Sequence, residues 1–147
     1  MQLRAFTEYA IRILRHLDVH GPERRSALEI AKELGIPYSN FAQVAVKLRQ
    51  AGLLTSVQGR TGGYQLGRPA REISVYDVFR CIEGDLQISR YLLKEAQSDS
   101  DKPGDQKTQA FLQNLQNKMI AELSDKSIAD LGQDDSVPND RDESENL

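Results

Sequence analysis

Apolar residues recur at helical spacing from near the first residue. Phe6, Tyr9, Ala10, Ile13, Leu14 and Leu17 share one face of a predicted helix over Leu3 to about His20, and Gly21-Pro22 ends it. Ser26, with Glu29 three residues later, predicts the N-cap of a second helix. Its apolar positions are Leu28, Ile30, Ala31 and Leu34, and Gly35 stands where a C-cap glycine belongs. Pro37 opens a third helix, at a position where its missing N–H removes no hydrogen bond. That helix runs from about Tyr38 to Ala51, with Phe41, Val44, Ala45 and Leu48 inward and Gly52 as its stop.

The period then changes. Leu53 to Gln58 is β-prone, Gly59 to Gly63 is a turn cluster, and Tyr64 to Leu66 is a second short strand. Ser74 with Asp77 predicts another cap, opening a helix through Val75, Val78, Phe79 and Ile82 to Gly84. A further helical stretch is expected over Leu86 to about Ala96, and a polar loop over Gln97 to Gln106. From Thr108 a stripe of Phe111, Leu112, Leu115, Met119, Ile120 and Leu123 predicts a long helix, followed by one last turn over Ser127 to Leu131.

Two helices around a short glycine-containing turn, then a hairpin, form the pattern of a winged helix-turn-helix. The expected fold is mainly α with a small β-hairpin wing. Residues 1–84 form the DNA-binding domain, 85–131 a linker and helical dimerisation segment, and 132–147 a disordered acidic tail. The tail has too few apolar residues to offset the entropy of ordering it. The stripe over 108–123 follows a domain already complete in itself. It calls for a partner surface: a second copy related by a two-fold axis is the expected one, and folding back on its own domain the alternative.

Charge sharpens this picture. Residues 1–90 hold 13 Lys/Arg against 9 Asp/Glu, while residues 91–147 hold 6 against 13; the whole chain carries −3. A mildly basic N-terminal part can face phosphates while the acidic part stays away from them. No apolar run approaches the ~20 residues needed to span a membrane, and no secretory segment opens the chain, so a cytoplasmic protein is expected.

On the third helix, Ser39, Asn40 and Gln43 lie outward near its start. Asn and Gln pair bidentately with adenine, and Ser serves several bases. Tyr38 begins the helix; Lys47 and Arg49, further along, suit phosphates. In the wing, Arg60 at a glycine-rich tip suits a narrow minor groove, and Thr61 and the Gly62 amide suit phosphate. Arg4 adds a candidate phosphate contact at the start of the first helix.

The stretches MQLRAFTEYAIRIL, EIAKELGIPYSNFAQVAVKLRQAGLLTSVQGRTGGYQLGRP and EISVYDVFRCIEG, in that order, resemble the Rrf2 family of bacterial winged-helix regulators. The closing SIADL resembles the end of that family's dimer helix. The resemblance implies a homodimer on an imperfect palindrome, with Ser39, Asn40 and Gln43 reading bases and residues Gln58 to Gly63 entering the minor groove. Gln58 stands where the cluster regulator has an arginine and Arg60 follows two residues later, so insertion is expected to be shifted or weakened.

Those members also carry three cysteines before the dimer helix. This chain has one cysteine in all, Cys81, on an earlier segment. A thiolate-ligated cluster needs several, so no cofactor is expected. Glu8 occupies the place of an acidic ligand in some members; here it is expected to pair with Arg12 at i,i+4. His16 and His20 share a helix face at i,i+4, but no third ligand is evident and no metal is expected. Cys81, flanked by Phe79 and Ile82, reads as a small buried thiol, with redox sensing the alternative.

The expectation is a sequence-specific transcriptional regulator, a homodimeric repressor of double-stranded DNA. The alternative is a winged-helix protein-interaction module, since fold alone does not fix function. An enzyme is disfavoured: there is no phosphate loop and no nucleophile–base arrangement.

Overall fold

The computed structural model describes residues 3–89 and 106–132. Six α-helices, a two-stranded hairpin and one 3-10 turn follow in order: α1 Ala5–Val19, α2 Ala27–Leu34, α3 Tyr38–Gln50, β1 Leu54–Val57, β2 Gly63–Leu66, the turn Ala70–Glu72, α4 Val75–Glu83, α5 Gln106–Asp125 and α6 Ile128–Gly132. The architecture is mainly helical, with the hairpin after α3 and a long C-terminal helix. Among the described residues no helix is long and apolar enough to cross a membrane.

The helix starts follow from local chemistry. Ser26 Oγ accepts from the Glu29 amide while the Glu29 carboxylate accepts from the Ser26 amide. Ser74 and Asp77 repeat this exchange at α4. Ser127 and Asp130 do the same at α6. Each reciprocal pair satisfies two amides that the first helical turn leaves without partners.

One core joins these elements. Ile13 and Leu14 of α1, Ile30 of α2, Phe41, Val44 and Leu48 of α3, Leu54 of β1, Val78 of α4 and Ile128 of α6 are all fully buried in it. Ile128 comes from beyond α5. Its amide donates to the Ile73 carbonyl, and the Val75 amide to the Lys126 carbonyl. The last helix is thus sewn back onto α1 and α4.

Three local expectations are corrected. Leu28 does not face the core: it sits in the first turn of α2, on the outer side, and is 68% exposed. Residues 86–89 are not helical; Leu86 is buried there, and the rest of the helix expected to Ala96 lies outside the described residues, as do most of the loop to Gln106 and the tail after Gly132. Arg12 donates to the Leu34 carbonyl, bridging α1 to the end of α2. On α5, the residue that is buried is Gln116, at 7% exposure, whose Oε1 accepts from the Ile88 amide at 3.2 Å. Phe111 in the stripe is 65% exposed.

Candidate nucleic-acid interface

Helix α3 offers two faces. Phe41, Val44, Ala45 and Leu48 anchor it in the core. A rotation of about 100° per residue then puts Ser39, Gln43, Val46 and Gln50 on the opposite side, flanked by Asn40 and Lys47 on one edge and Tyr38 and Arg49 on the other. Ser39, Gln43, Arg49 and Tyr38 are exposed, and Asn40 and Lys47 are half-buried. Among the described residues Arg49 has no ion-pair partner. Val46, in the middle of the outer face, is 50% exposed. The sequence reading of α3 weighed only polar residues on the outer face; the outward angle of Val46 on the helix is the signal that finds it. An exposed methyl pair there suits a thymine methyl group.

The wing is built on close backbone approach. Val57 pairs with Gly63 and Leu54 with Leu66 in an antiparallel register. A Cβ on Gly62 would fall 2.2 Å from the Val57 carbonyl oxygen, and one on Gly63 would fall 2.6 Å from the Arg25 carbonyl oxygen. No side chain fits at either position, which explains the Gly62-Gly63 pair. Arg25 is a third rung: its amide donates to Tyr64 O at 3.2 Å and its carbonyl accepts from Tyr64 N at 2.8 Å. The hairpin is therefore attached to the α1–α2 connection, which the strand pattern did not foretell. Tyr64 also packs edge-on against Phe41 of α3, with ring centroids 5.4 Å apart. At the tip, Gln58, Arg60 and Thr61 are exposed. Arg24 donates to the Thr61 carbonyl at 3.4 Å, so a second arginine stands beside the wing.

Arg4, exposed at the start of α1, is held beside Glu83. Its amide donates to Glu83 Oε1 at 2.9 Å and its Nε lies 3.3 Å from Glu83 Oε2. Thr7 Oγ1 donates to the same Oε1 at 2.7 Å. Burial pushes the Glu83 carboxyl up, but these hydrogen bonds and the charges of Arg4 and Lys47 outweigh it and hold the group below the usual carboxylate range. Arg4 is thus part of a clamp between α1 and the end of α4.

Cys81 is half-buried, and its Sγ donates to the Lys47 carbonyl at 3.3 Å. Burial pushes the thiol up, against the pull of the Lys47 charge. It is held protonated, the opposite of a reactive thiolate. His16 and His20, by contrast, do meet a third donor: Glu33 of α2 lies beside them.

A half-buried recognition helix, the helix before it and a hairpin anchored beside it define a winged helix-turn-helix module. The chain belongs to the Rrf2 family: the family model, described as an iron-dependent transcriptional regulator, matches residues 3–134. That description makes the family one of transcriptional regulators. The chain's fold is similar to T. potens IscR, at 26% identity and a TM-score of 0.69 over 89% of this chain and 85% of that one. It is similar to oxidized Staphylococcus aureus CymR, at 28% identity and a TM-score of 0.68 over 90% and 97% of the two chains. CymR (YrzC), the global cysteine regulator of B. subtilis, shares the fold at 24% identity and a TM-score of 0.72 over 90% and 96%. In sequence, protein aau3 of Rhizobium meliloti (strain 1021) is 36% identical over 89 residues, 60% of this chain and 58% of that protein's length.

The family description names iron. An iron–sulfur cluster does not fit these residues: one cysteine cannot supply a thiolate set, and Cys81 is packed with its proton on a backbone carbonyl.

Proposed function

We propose that the protein is a homodimeric repressor that acts in the cytoplasm, binding an imperfect palindrome without an iron–sulfur cluster. One observation carries this reading. Helix α3 is fixed by four core residues yet leaves Ser39, Asn40 and Gln43 on its outer side near the N-terminus, where a recognition helix meets base edges. In this reading those three residues read bases, and Val46 adds an apolar contact. Tyr38, Lys47, Arg49, Thr61 and the Gly62 amide hold phosphates, and Arg60 enters the minor groove beside Gln58. Arg4, exposed beside Glu83, adds a phosphate contact at the start of α1.

Support for the dimer comes from α5. Phe111 and Leu115 are exposed on it. Beside the helix runs an apolar groove of about 380 Å³, lined by Ile11, Val75, Phe79, Met119 and Leu123 among others. A second copy of α5 would cover both.

Footprinting on the promoter region of the gene itself tests the proposal. A protected palindrome, shifted at moderate salt and lost in the Asn40→Ala/Gln43→Ala double variant, is the expected result. Reporter transcription should rise when the protein is removed. A folded protein that protects no site would end the reading, and transcription that falls on removal would end the repressor part.

A further inference from the structure

We propose that His16, His20 and Glu33 bind one divalent first-row transition-metal ion of the zinc type, at the junction of α1 and α2. The sequence places two histidines one helical turn apart, a spacing that turns both rings to one face. The fold adds the third donor. His16 Nε2 lies 2.9 Å from Glu33 Oε2 and His20 Nε2 4.0 Å from the same oxygen. One ligand atom from each of the three residues lies within 4.8 Å of the others. In a tetrahedral site with bonds of about 2.0–2.2 Å, ligand atoms stand about 3.3–3.6 Å apart. The observed spacings straddle that range, so small side-chain rotations close the site.

Two further features point to a cation. The His16 side chain is only 9% exposed, and its Nε2 has no aligned hydrogen-bond partner although a carboxylate oxygen faces it. With the ring proton on Nδ1, Nε2 turns a lone pair to the carboxylate and a cation fits between them; with it on Nε2, the ring donates there instead. The carboxylate is also already oriented. Arg25 Nη2 holds Glu33 Oε1 at 2.6 Å and leaves Oε2 for the histidines. Such outer partners set the aim of a ligand, although the positive charge of Arg25 tempers affinity.

Two imidazoles and one carboxylate suit zinc or its neighbours in the first row. They do not suit magnesium or calcium, which take oxygen donors. Three protein ligands leave an open position for water. The position in the fold matters as well. Arg25 grips Glu33 with its side chain and Tyr64 of the wing with its backbone. An ion here would join α1, the first helix of the DNA-reading pair and the wing base. The proposal stands independently of which DNA is read.

Cobalt binding to the full-length chain, tag-free and chelator-stripped, tests this. Co²⁺ should bind at one equivalent per chain, with visible ligand-field absorption and no thiolate charge-transfer band, and Zn²⁺ should displace it and raise the Tm. His20→Ala and Glu33→Gln should each weaken binding at least about tenfold, the lower bound for loss of an outer partner, while Cys81→Ser leaves it unchanged. His20 lies at the exposed end of α1, so its variant keeps the fold and decides the matter should Glu33→Gln fail to fold. No stoichiometric cobalt, binding unaffected in His20→Ala, or binding lost in Cys81→Ser would each overturn the assignment.

Discussion

Helices α1 and α5 solve opposite problems. The 15 residues of α1 bury Thr7, Ala10, Ile13, Leu14 and Leu17 against the rest of the chain. The 20 residues of α5 bury only Gln116. Both carry an apolar stripe in the sequence, so periodicity alone does not distinguish a helix that completes a core from one that awaits a partner. Burial in the single chain does. The lesson is that α1 answers to the stability of the monomer, and α5, in the proposed reading, to association.

The sharpest way to break this contrast is to compare truncations. Leu48→Ala, in the core that α1 and α3 share, should cost about 2–5 kcal/mol of unfolding free energy, read as a lower urea midpoint. The same substitution at Phe111 should leave the stability of an isolated chain within about 0.5 kcal/mol. If the two proved equal, the distinction would fail. Charge on the stripe comes next. Phe111→Glu with Leu115→Glu should weaken self-association by about 2 kcal/mol or more, roughly thirtyfold in Kd by sedimentation, with helix content kept. An unchanged Kd would place the interface elsewhere.

On the reading face, Gln43→Ala should lower discrimination at one base pair by about 1–3 kcal/mol while non-specific binding persists. Competition with single-base variants of the site measures it. The smallest effect concerns Cys81. Its thiol is raised in the folded state, so alkylation at pH 8 should be slower than for free cysteine. The sign for stability follows. The contribution is present below the unfolded value of about 9 and is lost as pH rises through the higher folded one. Fast alkylation of the native protein would contradict this placement.

The fold was largely legible where short-range rules suffice. Capping pairs at Ser26 and Ser74, glycine stops at Gly35 and Gly52, and the inner residues of α3 are all local signals, and the structure forms each of them. What pattern could not show depends on distant partners. Leu28 looked inward because it is apolar, but its angle on α2 turns it outward. Gln116 is buried because Ile88 brings an amide to it, a pairing across 28 residues. Glu33 completes the histidine pair only because α2 folds against α1. Of the candidate interface, the polar row of α3 and the glycine wing were visible. Val46 was hidden on a face read only for polar residues, and the Arg25 rung was hidden in what reads as a loop.

Ile128 has a consequence for how the chain is made. Among the described residues, every other member of the main buried cluster lies at or before Ile82. A nascent chain can assemble its reading head early, but that cluster stays open on one side until the last short helix has left the ribosome. Apolar surface of α1 and around Ile73 is uncovered for that interval, when non-native contacts compete. Shortening the chain just before Lys126 would make the gap permanent, so the final turn of helix is a stopper for the start of the molecule.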